Sequence, residues 1–273
     1  MPAMQRILEQ HRESIRLVVT TDRYGKKHGS FLKQAIDNYS RSGFRFLLYL
    51  GYSFVACFVV LRAKQFWGAL IRRPERQKTV AAICSELSIP HLSALEINAD
   101  GVIERLKSES IDLITMFYFD QIIHDELIAV PQHGVVNFHP AILPDCRGLF
   151  PVVFSAIEND CRFGITAHDV HDKGIDTGKM LGQVHVDVGD EKSILKIERE
   201  VNLAGADLFG EIISELDSRR ARASVQDESS AAYHSYPTRQ QIRELGRRGF
   251  QIAGMRAFWR SQMVTVDHPS QVD

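Results

Sequence analysis

At 273 residues, with 44% apolar and 25% charged side chains, the chain has material for a real core, as one large domain or one domain with an appendage. A net charge of −1 gives no global basis for nucleic-acid binding. Four cysteines, Cys57, Cys84, Cys146 and Cys161, form no CxxC pair and no metal spacing, and no basic, apolar, cleavable leader opens the sequence, so a reduced cytoplasmic chain is expected.

Met4 to Ser14 reads as a polar helix and Ile15 to Asp22 as a strand running into a loop. Residues 46 to 61 carry no charge. As a helix these sixteen residues would span about 24 Å, short of the ~30 Å hydrocarbon core of a bilayer. Arg62, Lys64, Phe66, Trp67, Arg72 and Arg73 continue the stretch as a basic-aromatic helix. Three readings of 46 to 73 stay open: a buried helix or hairpin, a peripheral membrane contact, and a partner or homodimer surface.

Glu75 to Leu87 has a helical apolar face in Val80, Ile83 and Leu87, and Ile89 to Leu92 is a short strand or its approach. A helix begins at Asn98 and is followed by a strand over Ile111 to Met116. Asp125 to Ala129 then reads as a helix, and Gly134 to Phe138 as a second buried strand. Pro151 to Ile157 reads as a helix and Lys179 to Val186 as a strand. Ser193 caps a long helix carrying Ile194, Ile197, Val201 and Leu208. This alternation predicts an α/β fold with a Rossmann-like, mostly parallel sheet and flanking helices. Residues 218 to 232 are polar and Ser-, Arg- and Ala-rich, which suggests a linker. Beyond them Thr238 caps a helix, and six arginines lie between 239 and 260 against the single acid Glu244. That basic tail reads as a solvated face or an anion-contacting lid in preference to a nucleic-acid site. The expected organisation is a domain over 1–217 with an apolar insertion about 43–73, then a linker and short basic appendage over 218–273.

The chemistry concentrates in residues 133 to 178. Asn137 and His139 lie two apart on a strand, so they face one side where the strand opens into a loop. Asp176 follows in the Gly-flanked turn Gly174-Ile175-Asp176-Thr177-Gly178. The segments Asn137-Phe138-His139-Pro140, Leu143-Pro144, Arg147-Gly148, Gly164-Ile165-Thr166, His168 and Asp176-Thr177-Gly178 resemble the folate-dependent formyltransferases. The resemblance is good from about 111 to 205 and weak before 90. It implies the formyltransferase fold, with the first strand of that fold missing or replaced here.

The resemblance further implies transfer of a formyl group from 10-formyltetrahydrofolate to a primary amine, with Asn137, His139 and Asp176 catalytic. Such a transfer passes through a tetrahedral oxyanion and needs a donor for that oxyanion and a group to take the amine proton. The pterin would lie against Phe119, Gln121, Ile122 and Ile123 on one side and Asp172 and Gly174 on the other. Arg147 either anchors its loop or meets an anionic substrate group. The run from Thr166 to Asp176 is one residue longer than relatives carry, which leaves Asp172 as the alternative acid. His168 and His171 invite a metal reading, but three-apart residues on a strand face opposite ways and no metal is expected. A small-molecule amine, an amino sugar foremost, is the expected acceptor. The tail is too short for the β-barrel domain of methionyl-tRNA formyltransferases, which argues against tRNA. The alternatives are a hydrolase acting on the same folate, and a degenerate relative that binds a partner or membrane through 46 to 73.

Overall fold

The structure, a computed structural model, describes residues 2–21, 31–51, 79–158, 160 and 162–252. The loop after Thr21, residues 52–78 of the apolar and basic stretch, Cys161 and the last arginines of the tail lie outside the described residues.

The chain opens with a helix over Pro2–Gln10 (α1), ending four residues before the Ser14 expected from the sequence, and a strand over Val18–Thr21 (β1) inside the stretch read as one. Helices Phe31–Ser42 (α2) and Phe44–Leu50 (α3) follow. Phe46, Tyr49 and Leu50 on α3 are buried in the main core, so the described start of the apolar run is core helix. Helix Val80–Leu87 (α4) leads to the strand His91–Ala94 (β2), and helix Asp100–Ser108 (α5) to the strand Ile114–Phe117 (β3). A short helix over Asp125–Ile128 (α6) precedes the strand Val135–His139 (β4). The two-residue strand Arg147–Gly148 (β5) and helix Pro151–Ile157 (α7) follow. Strands Phe163–Val170 (β6) and Met180–Val186 (β7) come next, then the long helix Ile194–Ser214 (α8). Helix Leu216–Ala221 (α9), strand Tyr233–His234 (β8) and helix Arg239–Arg247 (α10) complete the described chain.

The fold is α/β. The central sheet runs β3-β4-β6-β7, with β3 and β4 parallel and both later pairings antiparallel. The parallel pairing stops at β4. Beyond it, a turn without a crossover helix joins β6 to β7, and antiparallel strands need no crossover. β1 and β2 form a separate parallel pair, and among the described residues no strand joins them to β3. Both pairs nonetheless pack on one apolar cluster, in which Leu17, Val19, Ile114 and Met116 meet Val102, Ile103 and Leu106 of α5.

The main core lies on the opposite side of β4. Val136 and Phe138 point into it, against Ile197, Val201, Leu208 and Ile212 of α8 and Val153 of α7. Those α8 positions recur at four- and seven-residue steps, so they share one apolar face of the helix. Two local expectations change. Ser193 holds the N-cap position, but its buried hydroxyl makes no hydrogen bond, and the first-turn N–H of Ile194 goes to the Gln251 carbonyl instead. Residues 218 to 232 are not a free linker: Ser224 bridges Met180, Ala232 bonds Pro144 and Arg147, and β8 pairs with β5. Thr238 caps α10 as expected, in a reciprocal box with Gln241.

Candidate active site

On β4 the alternation that buries Val136 and Phe138 turns Asn137 and His139 to the other face. Asn137 lies opposite His168 on β6, and His139 opposite Thr166. Asp176 reaches the same place from the turn after β6, so the longer run before it does not displace it. Its backbone is in the left-handed region at φ 55°. Asp172, the alternative acid, has a side chain 60% exposed and accepts instead from the Gly174 N–H at 2.7 Å.

Asp176 is 9% exposed and is gripped on both oxygens. Oδ1 accepts from Asn137 Nδ2 at 3.1 Å and lies 3.3 Å from His168 Nε2. Oδ2 accepts from the Gly148 N–H at 2.8 Å and lies 3.4 Å from His139 Nδ1. Gly148 sits at φ 96°, and a Cβ there would come within 2.1 Å of the His234 carbonyl oxygen, so only glycine presents its N–H in this way. Asn137 Nδ2 also faces His168 Nε2 at 3.2 Å, and His168 Nδ1 bonds the Asp169 carbonyl at 3.0 Å. His171 lies just past the end of β6 with its side chain exposed. Among the described residues no group of His, Cys, Asp and Glu is arranged to hold a metal ion.

His139 donates from Nε2 to the Cys146 carbonyl at 2.7 Å. In the neutral ring Nδ1 then carries the lone pair, directed at Asp176. Protonation at Nδ1 would convert that approach into a charge-assisted hydrogen bond. Burial works against the charged ring, and it outweighs the pull of the Asp176 carboxylate and the Cys146 carbonyl, so the imidazole titrates below its ordinary 6.5. For Asp176 burial favours the neutral acid, but the His139 and His168 rings and the Gly148 N–H outweigh it and hold the carboxyl well below the usual carboxylate range.

These two shifts have a measurable sign. The unfolded chain takes up a proton at His139 before the folded one does, so folding stability falls as pH drops from 6.5 towards the lower folded value. The Asp176 contribution stays intact over that window, because it is lost only as pH falls through a value below its ordinary 3.8. Urea midpoints measured down this range are expected to decline, and His139→Gln to flatten the decline. An equal slope in the variant would refute the assignment to His139.

The Cys146 thiol is buried and pushed up to about 11, mainly by desolvation. That removes the thiolate a nucleophile would need. Arg147 is buried, and its guanidinium is held by Gln226 at 2.9 and 3.0 Å and by Glu228 at 2.7 and 2.9 Å. Of the two roles read for it, the loop anchor is the one its contacts describe. An anionic substrate group would have to compete with a bidentate carboxylate already in place.

The residues expected to line a pterin slot form two neighbouring loops. Lys173 Nζ of the 171–174 loop lies 3.4 Å from Asp125 Oδ2 at the start of α6, two residues past Ile123. Gln121 accepts from the Ile97 N–H at 2.9 Å and donates to the Leu95 carbonyl at 3.1 Å, and the Ile122 carbonyl accepts from Asn98 at 2.9 Å. Ile122 is exposed, Ile123 is core and Phe119 packs at the core's edge. The contacts that sequence reading missed are the Gly148 N–H, the Cys146 carbonyl and Gln226. The first two are backbone groups with no side-chain signature, and Gln226 lies in the stretch read as a linker.

Comparison with known proteins adds a family. A family model described as formyl transferase matches residues 27–213. Methionyl-tRNA formyltransferase of Geobacter metallireducens is 28% identical over 174 residues, covering 60% of this chain and 56% of the relative. That of Bacillus subtilis is 30% identical over 145 residues, covering 53% and 45%. The chain thus spans about half the length of the curated relatives it matches. A sugar N-formyltransferase from Shewanella superposes with a TM-score of 0.48 at 19% identity, covering 85% of this chain and 86% of that one. Phosphoribosylglycinamide formyltransferase from Streptococcus pneumoniae gives 0.46 at 25% identity, covering 52% and 82%.

Proposed function

The chain belongs to the formyl transferase family, and from that premise we propose that it transfers a formyl group from 10-formyltetrahydrofolate to a primary amine of a small metabolite, an amino sugar foremost. The observation that carries the reading is the Asp176 carboxylate held between Asn137 Nδ2 and His139 Nδ1 on the matched segment. The amine nitrogen attacks the formyl carbon, a C–N bond forms and the carbonyl electron pair moves to oxygen. Asn137 turns one amide N–H from its long contacts of 3.1 and 3.2 Å to that oxyanion. The attacking nitrogen releases its proton to the His139–Asp176 pair, where Nδ1 holds it beside the carboxylate. Collapse restores the C=O bond, breaks the bond to N10 and returns a proton to N10, leaving a formamide and tetrahydrofolate.

In this reading Phe119, Gln121, Ile122 and Ile123, the last through its backbone, and Asp172 with Gly174 form the two walls of the pterin slot; the contact of Lys173 with Asp125, at the start of α6 just after Ile123, supports it. The low exposure of the Asp176 carboxylate supports a projecting primary amine over a hindered one.

The test mixes the protein and 10-formyltetrahydrofolate with a panel of amines, namely amino sugars, glycinamide derivatives and methionyl-tRNA, and follows tetrahydrofolate release. Release that depends on an amino sugar is the expected result. Release that needs methionyl-tRNA would replace the acceptor. Release with no amine would replace the reading by folate hydrolysis, and no release with no folate binding by calorimetry would end the enzymatic reading.

A further inference from the structure

Gln226 is 3% exposed and lies fifty residues beyond the catalytic acid, yet its amide is fully engaged with the site. Nε2 donates to the carbonyl of Asp176 at 2.8 Å and to that of Gly178 at 2.8 Å. Oε1 accepts from Arg147 Nε at 3.0 Å and Nη2 at 2.9 Å. Glu228, its side chain 70% exposed, clamps the outer edge of the same guanidinium.

The two carbonyls Gln226 holds flank the turn in which Asp176 adopts its left-handed backbone. That conformation is uncommon for a residue with a Cβ and persists where its surroundings over-determine it. Arg147, on the other side of Gln226, belongs to the loop whose neighbouring residues grip the catalytic side chains: the Cys146 carbonyl takes His139 Nε2, and the Gly148 N–H takes Asp176 Oδ2. One buried amide therefore joins the main chain of the acid to the loop that orients acid and histidine together. An apolar residue of equal length would fill the same space without setting either distance.

We propose that Gln226, held by Arg147 and Glu228, is a positioning residue that sets the Asp176 carboxylate against His139. It touches no reacting atom and acts through the turn. The activity arms of its test rest on the formyl-transfer reading above; the spectroscopic arm does not.

The test compares the wild type with Gln226→Met and Glu228→Gln, the second at the exposed end of the clamp where folding is not at stake. In Gln226→Met, kcat is expected to fall about 10- to 100-fold, the scale of a small misplacement of catalytic groups, with KM for folate and amine held within about twofold. Glu228→Gln is expected to lower kcat by a smaller factor in the same way. The His139 ring, followed by NMR titration, is expected to titrate lower in Gln226→Met than in the wild type, because the carboxylate that favours its charged form has moved away. Unchanged kcat and unchanged His139 titration in folded Gln226→Met would overturn the proposal. If Gln226→Met does not fold, Glu228→Gln decides: an unchanged kcat overturns it, and a fall at constant KM upholds it. If the wild type transfers no formyl group, the functional reading fails and the His139 titration alone judges the clamp.

Discussion

Asp176→Asn is expected to lower formyl transfer about 10³-fold, within the range set for removal of a group that manages the transferred proton. The substitution is informative because the fold should survive it. Asparagine tolerates the left-handed conformation that residue 176 adopts better than other side chains do. Its Oδ1 can still accept from the Gly148 N–H that Asp176 Oδ2 now holds. Its Nδ2 must then face Asn137 Nδ2, so a donor meets a donor where a carboxylate oxygen now accepts. The charge is lost as well, and with it the stabilisation of a proton on His139 Nδ1. If His139 is the base we propose, the acid limb of the wild-type kcat profile should lie below 6.5, because only the neutral ring accepts a proton and burial lowers its titration. In the variant the carboxylate's opposing pull is gone, so that limb should move to still lower pH. Measuring kcat against pH for both proteins tests the loss and the shift together. Asp172→Asn tests the alternative acid: as a residue of the proposed pterin slot it should raise KM for folate while kcat stays within about twofold. Asp176→Asn activity within tenfold of the wild type would remove Asp176 from the chemistry.

The convergence of Asn137, His139 and Asp176 is legible in the sequence because their side chains carry the signal. Asn137 and His139 needed only the two-residue period of a strand to share a face, and Asp176 sat in a turn that its glycines announced. The register of β4 against β6, which puts His168 opposite Asn137, depends on long-range pairing that local pattern does not encode. The strap around residues 224 to 234 was misread for a related reason. Its composition is that of a loop, while its role is carried by backbone bonds to Met180, Pro144 and Arg147 and by one buried glutamine. Ser193 shows the limit of capping rules: position was read correctly, but Glu191 takes its N–H and Gln251 takes that of Ile194, leaving its hydroxyl nothing to do. The change from parallel to antiparallel pairing after β4 was equally hidden, because an apolar strand looks alike in either direction.

Phe138→Ala is expected to cost about 3–5 kcal/mol of folding stability, the range for truncating a buried phenylalanine. Phe138 lies between the two site residues on β4 and points the opposite way, fully into the main core. Its ring stacks on Phe117 of β3 at 4.3 Å and 10°, and meets Phe209 of α8 at 5.8 Å and 47°. One side chain thus fastens two strands to helix α8, and the aromatic pairing adds about 0.5–1.5 kcal/mol beyond the area it buries. The lost volume cannot be refilled by solvent, because the surrounding side chains are themselves buried and apolar. Against a total stability of about 5–15 kcal/mol, such a loss would leave the variant partly unfolded at moderate temperature. Urea denaturation should show a lower midpoint at an unchanged m-value, which separates lost packing from a change in the denatured ensemble. Phe138→Leu keeps most of the volume and should cost well under half as much. The functional consequence follows from the strand itself: Asn137 and His139 hold their positions only as far as the residue between them is seated. The kcat of Phe138→Leu should therefore fall more than its stability loss accounts for. A Phe138→Ala loss below about 1 kcal/mol, smaller than any ordinary core truncation, would mean that the aromatic stack does not hold β4 in place.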